Sequence, residues 1–224
     1  MKIVTIAVGQ LMTNCYLLCD EQAKVCAVID PGDEAGRIAD AVERSGCQLR
    51  YVLLTHGHYD HFTGLAGLLE KYDVPVYIHP GDAEEGRNNP WSLKFPRLDE
   101  AHQRWYGEGD TLTLGSLIIH VLSTPGHSKG SVCLYLPDEG VLFSGDTLFC
   151  AGFGRMDLHG GSPLPLARRH QRPAHTATWC GAPCSSWLLT CLHRDTMWPR
   201  PIPTGRQSAI SISRLRKNCT ARLA

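Results

Sequence analysis

The sequence predicts an α/β protein built as a layered sandwich, up to about Gly161. Short apolar or β-branched runs, separated by Gly, Asp and Asn turns, recur through this stretch. A few helical stripes interrupt them, and later strands follow one another directly, as in antiparallel meanders. No Gly-rich loop of the GxxxxGK[ST] type is present, so a nucleotide-binding doubly wound sheet fits less well.

The elements read in order. Lys2–Val8, Asn14–Cys19 and Val25–Asp30 are strands. Asp33 can cap a following helix, Ile38 and Val42 lie one turn apart on one face of it, and Gly46 can end it. "QLRYVLLTH" is a buried strand. From near Thr63 a helix carries Leu65, Leu68, Leu69 and Tyr72 on one stripe. "VPVYIHP" is another strand. Asn88–Arg104, with Pro90 and Pro96, reads as irregular. "GDTLTLGSLIIHVLSTPGH", "GSVCLYLPDEG" and "VLFSGDTLF" add four strands.

Composition narrows the class. With 43% hydrophobic and 20% charged residues the chain fits a soluble globular protein, and no apolar run reaches the roughly 18 residues of a membrane span. "MKIVTIAVGQ" reads as a first strand and not as a signal peptide, so a cytoplasmic location is expected. In that setting the ten cysteines are free thiols, and Cys15, Cys19, Cys26, Cys47, Cys133 and Cys150 are expected to be buried as small hydrophobes. The net charge of zero conceals a break. Residues 1–156 hold 12 Lys+Arg against 20 Asp+Glu, a balance of −8, whereas residues 157–224 hold 10 against 2, a balance of +8. The acidic part argues against phosphate binding, so nucleic acid is not an expected partner.

The stretch "THGHYDHFTG" carries the chemistry. His56, His58, Asp60 and His61 fall on a strand-to-helix connection at the carboxyl end of a sheet strand, a usual place for sites in α/β folds. Neutral imidazole nitrogens and carboxylate oxygens are good ligands for zinc, iron or manganese, and four of them in six residues suit two ions better than one. Two later segments repeat the pattern of strand, small-residue turn and ligand-type side chain. They present His127 in "STPGHS" and Asp146 in "FSGDT". Asp30 in "VIDPG" has the same context and reads either as a turn-former or as an outer acceptor for a ligand N–H. His79, His102, His120 and His159 read as solvated.

"THGHYDH" matches the HxHxDH signature of the metallo-β-lactamase superfamily, and "STPGHSKGSVCLY" and "LFSGDTLFCAGFGRMDLHGGS" resemble the later motifs of its glyoxalase II-like (hydroxyacylglutathione hydrolase-like) branch. The resemblance covers residues 1–163. It implies a four-layer αββα sandwich with two divalent metal ions, zinc first and iron or manganese as alternatives. By position, His56, His58 and His127 would hold the first ion, Asp60 and His61 the second, and Asp146 would bridge them. The family supplies one more ligand, a histidine in a C-terminal Pro-Gly-His motif, and no such motif follows residue 127.

Residues 164–224 form an atypical basic, proline-rich tail without sustained period. His193 is the best-placed of its histidines to replace the absent ligand. Alternatively, codons for His193–Thr196 read out of frame permit Pro-Gly-His, so the tail reads as a frame-shifted version of an ordinary C-terminus. A disordered or partner-binding tail is the third reading, and the fold's C-terminal part is in each case expected to be incomplete or irregular.

The expected function is a metal-dependent hydrolase acting on a small-molecule thioester such as S-2-hydroxyacylglutathione, through a metal-bound hydroxide that Asp60 orients and deprotonates. A thiolate leaves without strong acid assistance, which suits this substrate class. The alternatives are an iron-dependent persulfide dioxygenase-like oxidoreductase and an inactive member lacking the last metal histidine. Arg155 pairs with Asp157 in the favoured reading, or meets a substrate carboxylate in the other.

Overall fold

The computed structural model describes residues 1–88, 95–149, 152–158 and 160–162, with side chains at all of these except 85–88. The tail and its readings, His193 included, lie outside the described residues, as do His159 and Cys150.

Six strands form a mixed sheet in the order of the chain. β1 (Lys2–Val8) and β2 (Thr13–Asp20) make a hairpin, and β3 (Val25–Ile29) adds antiparallel to β2. The connection then changes character. Helix α1 (Ala35–Ser45) returns the chain so that β4 (Gln48–Leu53) runs parallel to β3. The short helices α2 (Tyr59–Phe62) and α3 (Leu65–Leu69) lead to β5 (Val76–Ile78), and α4 (Pro80–Asn88) precedes β6 (Gln103–Trp105). Both strands are parallel to their predecessors. A second, antiparallel sheet has the order β10-β9-β8-β7, from β7 (Thr111–Leu114), β8 (Leu117–Ser123), β9 (Val132–Leu136) and β10 (Val141–Phe143).

The central strands are buried on both faces, which is why they read as continuous apolar runs. Cys15, Leu17 and Cys19 of β2, Cys26 and Val28 of β3, and Val52 of β4 point into a core shared with Ile38 and Val42 of α1 and Leu65 and Leu68 of α3. Their neighbours Tyr16, Leu18, Ala27, Ile29, Tyr51 and Leu53 face the other way, against Ile119, Val121, Val132, Leu134 and Phe143 of the second sheet. The described residues thus form three layers, helix on sheet on sheet, of the expected α/β sandwich. The described residues include no fourth layer of the αββα expectation, and the C-terminal part expected to be irregular lies outside them.

Several expectations need correcting. Asp33 does not cap α1. Its Oδ1 accepts the N–H of Glu34, and Glu34, in left-handed backbone with φ 51°, is the residue that enters the helix. The helix expected from Thr63 is shorter than its stripe: α3 carries Leu65, Leu68 and Leu69 but ends before Tyr72, and a separate short helix, α2, precedes it from Tyr59. Asp60 and His61 therefore sit on α2 and not on a loop. α4 and β6 occupy part of the segment read as irregular or left unassigned. The cysteine expectation holds for Cys15, Cys19, Cys26, Cys47 and Cys133, all free and buried.

Leu53 is fully buried between the sheets. Leu53→Ala should lower unfolding stability by about 2–5 kcal/mol, through lost transfer energy and a residual cavity. Glu21→Ala, at an exposed turn, should change it by less than about 0.5 kcal/mol. Urea unfolding of both variants checks the contrast.

Candidate metal centre

The site forms where the two sheets meet. Beyond β4 the chain continues through Leu54 and Thr55, and the Thr55 carbonyl accepts the N–H of Val132 from β9, so the sheets are stitched at this point. His56 follows at once. His58 is the entry residue of α2, Asp60 and His61 lie within it, His127 comes from the β8–β9 connection, and Asp146 lies in the 3-10 turn Gly145–Thr147 after β10.

These six residues converge. His56 Nδ1 or Nε2, with one nitrogen each from His58 and His127, forms a set lying within 4.8 Å of one another, and His56, His61 and Asp146 form a second such set. His56 is common to both. The rings of His56 and His61 have centroids 4.1 Å apart, and His58 Nδ1 lies 2.8 Å from His127 Nε2. His61 Nε2 is 3.5 Å from both Asp60 Oδ2 and Asp146 Oδ1, and His127 Nε2 is 3.3 Å from Asp146 Oδ2.

Several of the inward groups are met from behind. The Arg155 carbonyl lies 2.7 Å from His127 Nδ1 and can only accept, so that nitrogen carries the proton and Nε2 is turned into the site. His61 Nδ1 stands 3.0 Å from Asp30 Oδ2. Asp30 itself, in left-handed backbone with φ 52°, accepts the Thr55 N–H and the Thr55 hydroxyl, both at 2.7 Å. It occupies the outer-acceptor position that its sequence context allowed. Thr55 Oγ1 is also 3.1 Å from His56 Nδ1, and the Thr13 hydroxyl donates to Asp60 Oδ2 at 2.9 Å. Thr13, from the β1–β2 hairpin, had no sequence signal, since one threonine among several looks like any other strand residue.

Electrostatics follow from crowding. Burial pushes His56 and His58 toward the neutral form, helped by the other imidazoles, and His58 is lowered to about 4. Burial works the same way on His61, but Asp60, Asp30 and Asp146 outweigh it and hold its proton well above the ordinary histidine range. Burial opposes the charge on Asp146, yet the facing His61 and the other imidazoles keep that carboxylate ionised well below its usual range.

The other described histidines, His79, His102 and His120, have polar partners. His79 Nδ1 accepts the Gly81 N–H, and His102 stands between Asp99 and Asp73 at 2.5 and 3.0 Å. Arg155 meets Asp157 through two bonds of 2.7 and 2.8 Å, as the favoured reading had it.

The donor set fits divalent cations. His56 Nε2 is buried without a hydrogen-bond partner among the described residues, an orphaned lone pair beside two more imidazoles. Three imidazole nitrogens on one side and a nitrogen–carboxylate set on the other are the ligand chemistry of zinc or iron.

An α/β sandwich with a histidine–carboxylate cluster at the junction of its sheets defines a scaffold of the metal-binding type. The chain belongs to the metallo-beta-lactamase superfamily, whose family model matches residues 8–179. It is 35% identical over 201 residues to the "Probable metallo-hydrolase YqgX" of Bacillus subtilis (strain 168), covering 85% of this chain and 94% of that one. It is 39% identical over 169 residues to a hydroxyacylglutathione hydrolase of Brucella anthropi, covering 74% of this chain but only 59% of that protein. Among solved structures, TTHA1623 in a di-iron-bound form superposes with a TM-score of 0.63 at 35% identity, covering 75% of this chain and 84% of that one. Among the described residues, no helix is long and apolar enough to cross a membrane.

In metal-free protein the imidazoles should titrate apart. Followed by NMR, His58 should stay neutral as the pH falls to about 4. His61 should keep its proton as the pH rises past the ordinary histidine value of about 6.5. Coincident titrations near that value would contradict the charge arrangement.

Proposed function

We propose that this chain is a dinuclear metallo-hydrolase that cleaves a small-molecule thioester of the S-2-hydroxyacylglutathione type. The observation that carries it is the pair of overlapping donor sets, His56/His58/His127 and His56/His61/Asp146. Two ions fit that arrangement, with Asp60 beside His61 completing the second set. Zinc suits the three-imidazole set, and iron or manganese would suit the set with carboxylates. Hydroxyacylglutathione hydrolases among its relatives support the thioester class.

Divalent ions bound there would supply Lewis acidity and a water acidified toward neutrality. The chain's own residues do the rest. Asp60 is fixed by the Thr13 hydroxyl, which leaves its other oxygen to orient a nucleophilic water and take up its proton. His127 is locked in one tautomer by the Arg155 carbonyl, and His61 is aligned by Asp30. The departing thiolate is a weak enough base to leave without a positioned acid, and no histidine need be spared for that task. Arg155 is paired with Asp157.

A second reading has a specific observation behind it. His56, His61 and Asp146 make a two-histidine, one-carboxylate set, the ligand type of mononuclear iron oxygenases. A persulfide dioxygenase-like activity would use it.

Purified full-length protein should contain about two divalent ions per chain and hydrolyse a glutathione thioester, with turnover lost on chelation and regained on metal addition. Asp60→Asn should lower kcat about 10²–10⁴-fold. One iron per chain, with oxygen uptake on a persulfide and no thioester turnover, would select the second reading. Absence of both activities with a vacant site would point to a member inactivated by its missing last ligand.

A further inference from the structure

Asp82 lies in the first turn of α4, on a different element from every ligand-type residue, and it is 2% exposed. Its carboxylate faces three donors. Oδ2 accepts the Gly57 N–H at 2.8 Å and the Ser128 hydroxyl at 2.6 Å, and Oδ1 accepts the Gly130 N–H. Gly57 is the residue between His56 and His58, and Ser128 follows His127. The three imidazoles of one donor set thus hang from two loops that share a single buried carboxylate.

We propose that Asp82 is a positioning residue that clamps the His56–His58 loop to the His127 loop and so sets the geometry of the three-imidazole half of the centre. The proposal rests on the metal-centre reading above and adds to it a residue outside the ligand set.

The local chemistry is specific to this use. Burial raises the Asp82 carboxyl toward its neutral form, and the Ser128 hydroxyl and the two backbone N–H groups pull it back. The nearby His79 contributes less, so the carboxylate depends mainly on the two loops. The approach is close enough to demand glycine on both sides. A Cβ on Gly130 would stand 2.8 Å from both the nitrogen and Oδ1 of Asp82, and one on Gly57 would stand 2.9 Å from the Asp82 carbonyl oxygen. Ser131 extends the clamp, with its Oγ 2.5 Å from Ser128 Oγ and accepting the Ser128 N–H at 3.1 Å. That holds the residue next to His127 at both its backbone and its side chain. His58 Nδ1 and His127 Nε2 are 2.8 Å apart across this junction, so a small relative movement of the loops changes the bite of the site directly. Groups of this outer kind typically affect metal affinity about 10–100-fold when removed.

The test is cobalt titration of metal-free full-length protein, read by the visible d–d spectrum and by stoichiometry. Asp82→Asn keeps the shape but loses the charge and one acceptor. It should weaken one of the two cobalt equivalents about 10–100-fold, alter the band of that equivalent, and leave the other unchanged. Ser128→Ala, which removes one donor and leaves the carboxylate, should weaken the same equivalent to a smaller extent, and it decides the matter if Asp82→Asn does not fold. Wild-type affinity and spectrum in a folded Asp82→Asn, or in Ser128→Ala where that variant has to decide, overturn the positioning role. A wild-type protein that takes up no cobalt overturns the metal-centre reading itself, and the role of Asp82 with it.

Discussion

The structure depends on keeping four crowded imidazoles, three of them buried, from neutralising the site they build. Rings this close would repel if charged and would leave lone pairs stranded if neutral. The protein resolves this by fixing the outward nitrogen of individual rings. His127 gives its Nδ1 proton to the Arg155 carbonyl, His61 faces Asp30, and His56 rests against the Thr55 hydroxyl. What remains inward is a convergent set of lone pairs and carboxylate oxygens, with one orphaned nitrogen among them. A hydrogen-bonded core would not be left in that condition without a ligand to meet it.

The fold exists around this arrangement in a direct sense. β3 and β4 run parallel and end together, which puts Asp30 beside Thr55 and lets one carboxylate accept two bonds from that single residue. Thr55 in turn carries the backbone bond that joins the second sheet at Val132. The same few residues therefore close the sandwich, aim His61 and lead into His56. Loosening Thr55 would disturb the packing of the sheets and the site together, because no separate scaffold stands between them.

Much of this was legible in the sequence, and the exceptions have physical causes. The central strands announce themselves because both faces are buried, and His56, His58, Asp60 and His61 because titratable groups at that density need a shared partner. His127 and Asp146 could be picked out because each follows a strand and a small-residue turn. Thr13 and Asp82 could not. Thr13 acts across a large sequence separation through one hydrogen bond and Asp82 through three, and neither stands in a local pattern that distinguishes it from a strand threonine or a helix-start aspartate. α4 has few apolar residues and so no stripe to read, and β6 is three residues of mixed character, held as a strand only by its parallel pairing with β5. The proton held on His61 is equally invisible in sequence, since it arises from Asp30, Asp60 and Asp146 meeting in space.

The two halves of the centre are chemically unequal, and the inequality bears on the order in which they would fill. One half consists of three imidazoles, two of them kept neutral by burial and all within reach of one ion without further help. The other is a single imidazole beyond the shared His56, together with the carboxylates of Asp60 and Asp146. It holds a proton that a cation must displace. The half that already competes with a proton is thus also the one with fewer imidazoles, whereas the three-imidazole half is complete within the described residues. Occupancy should accordingly be ordered, with the imidazole set filled first and the carboxylate set dependent on pH.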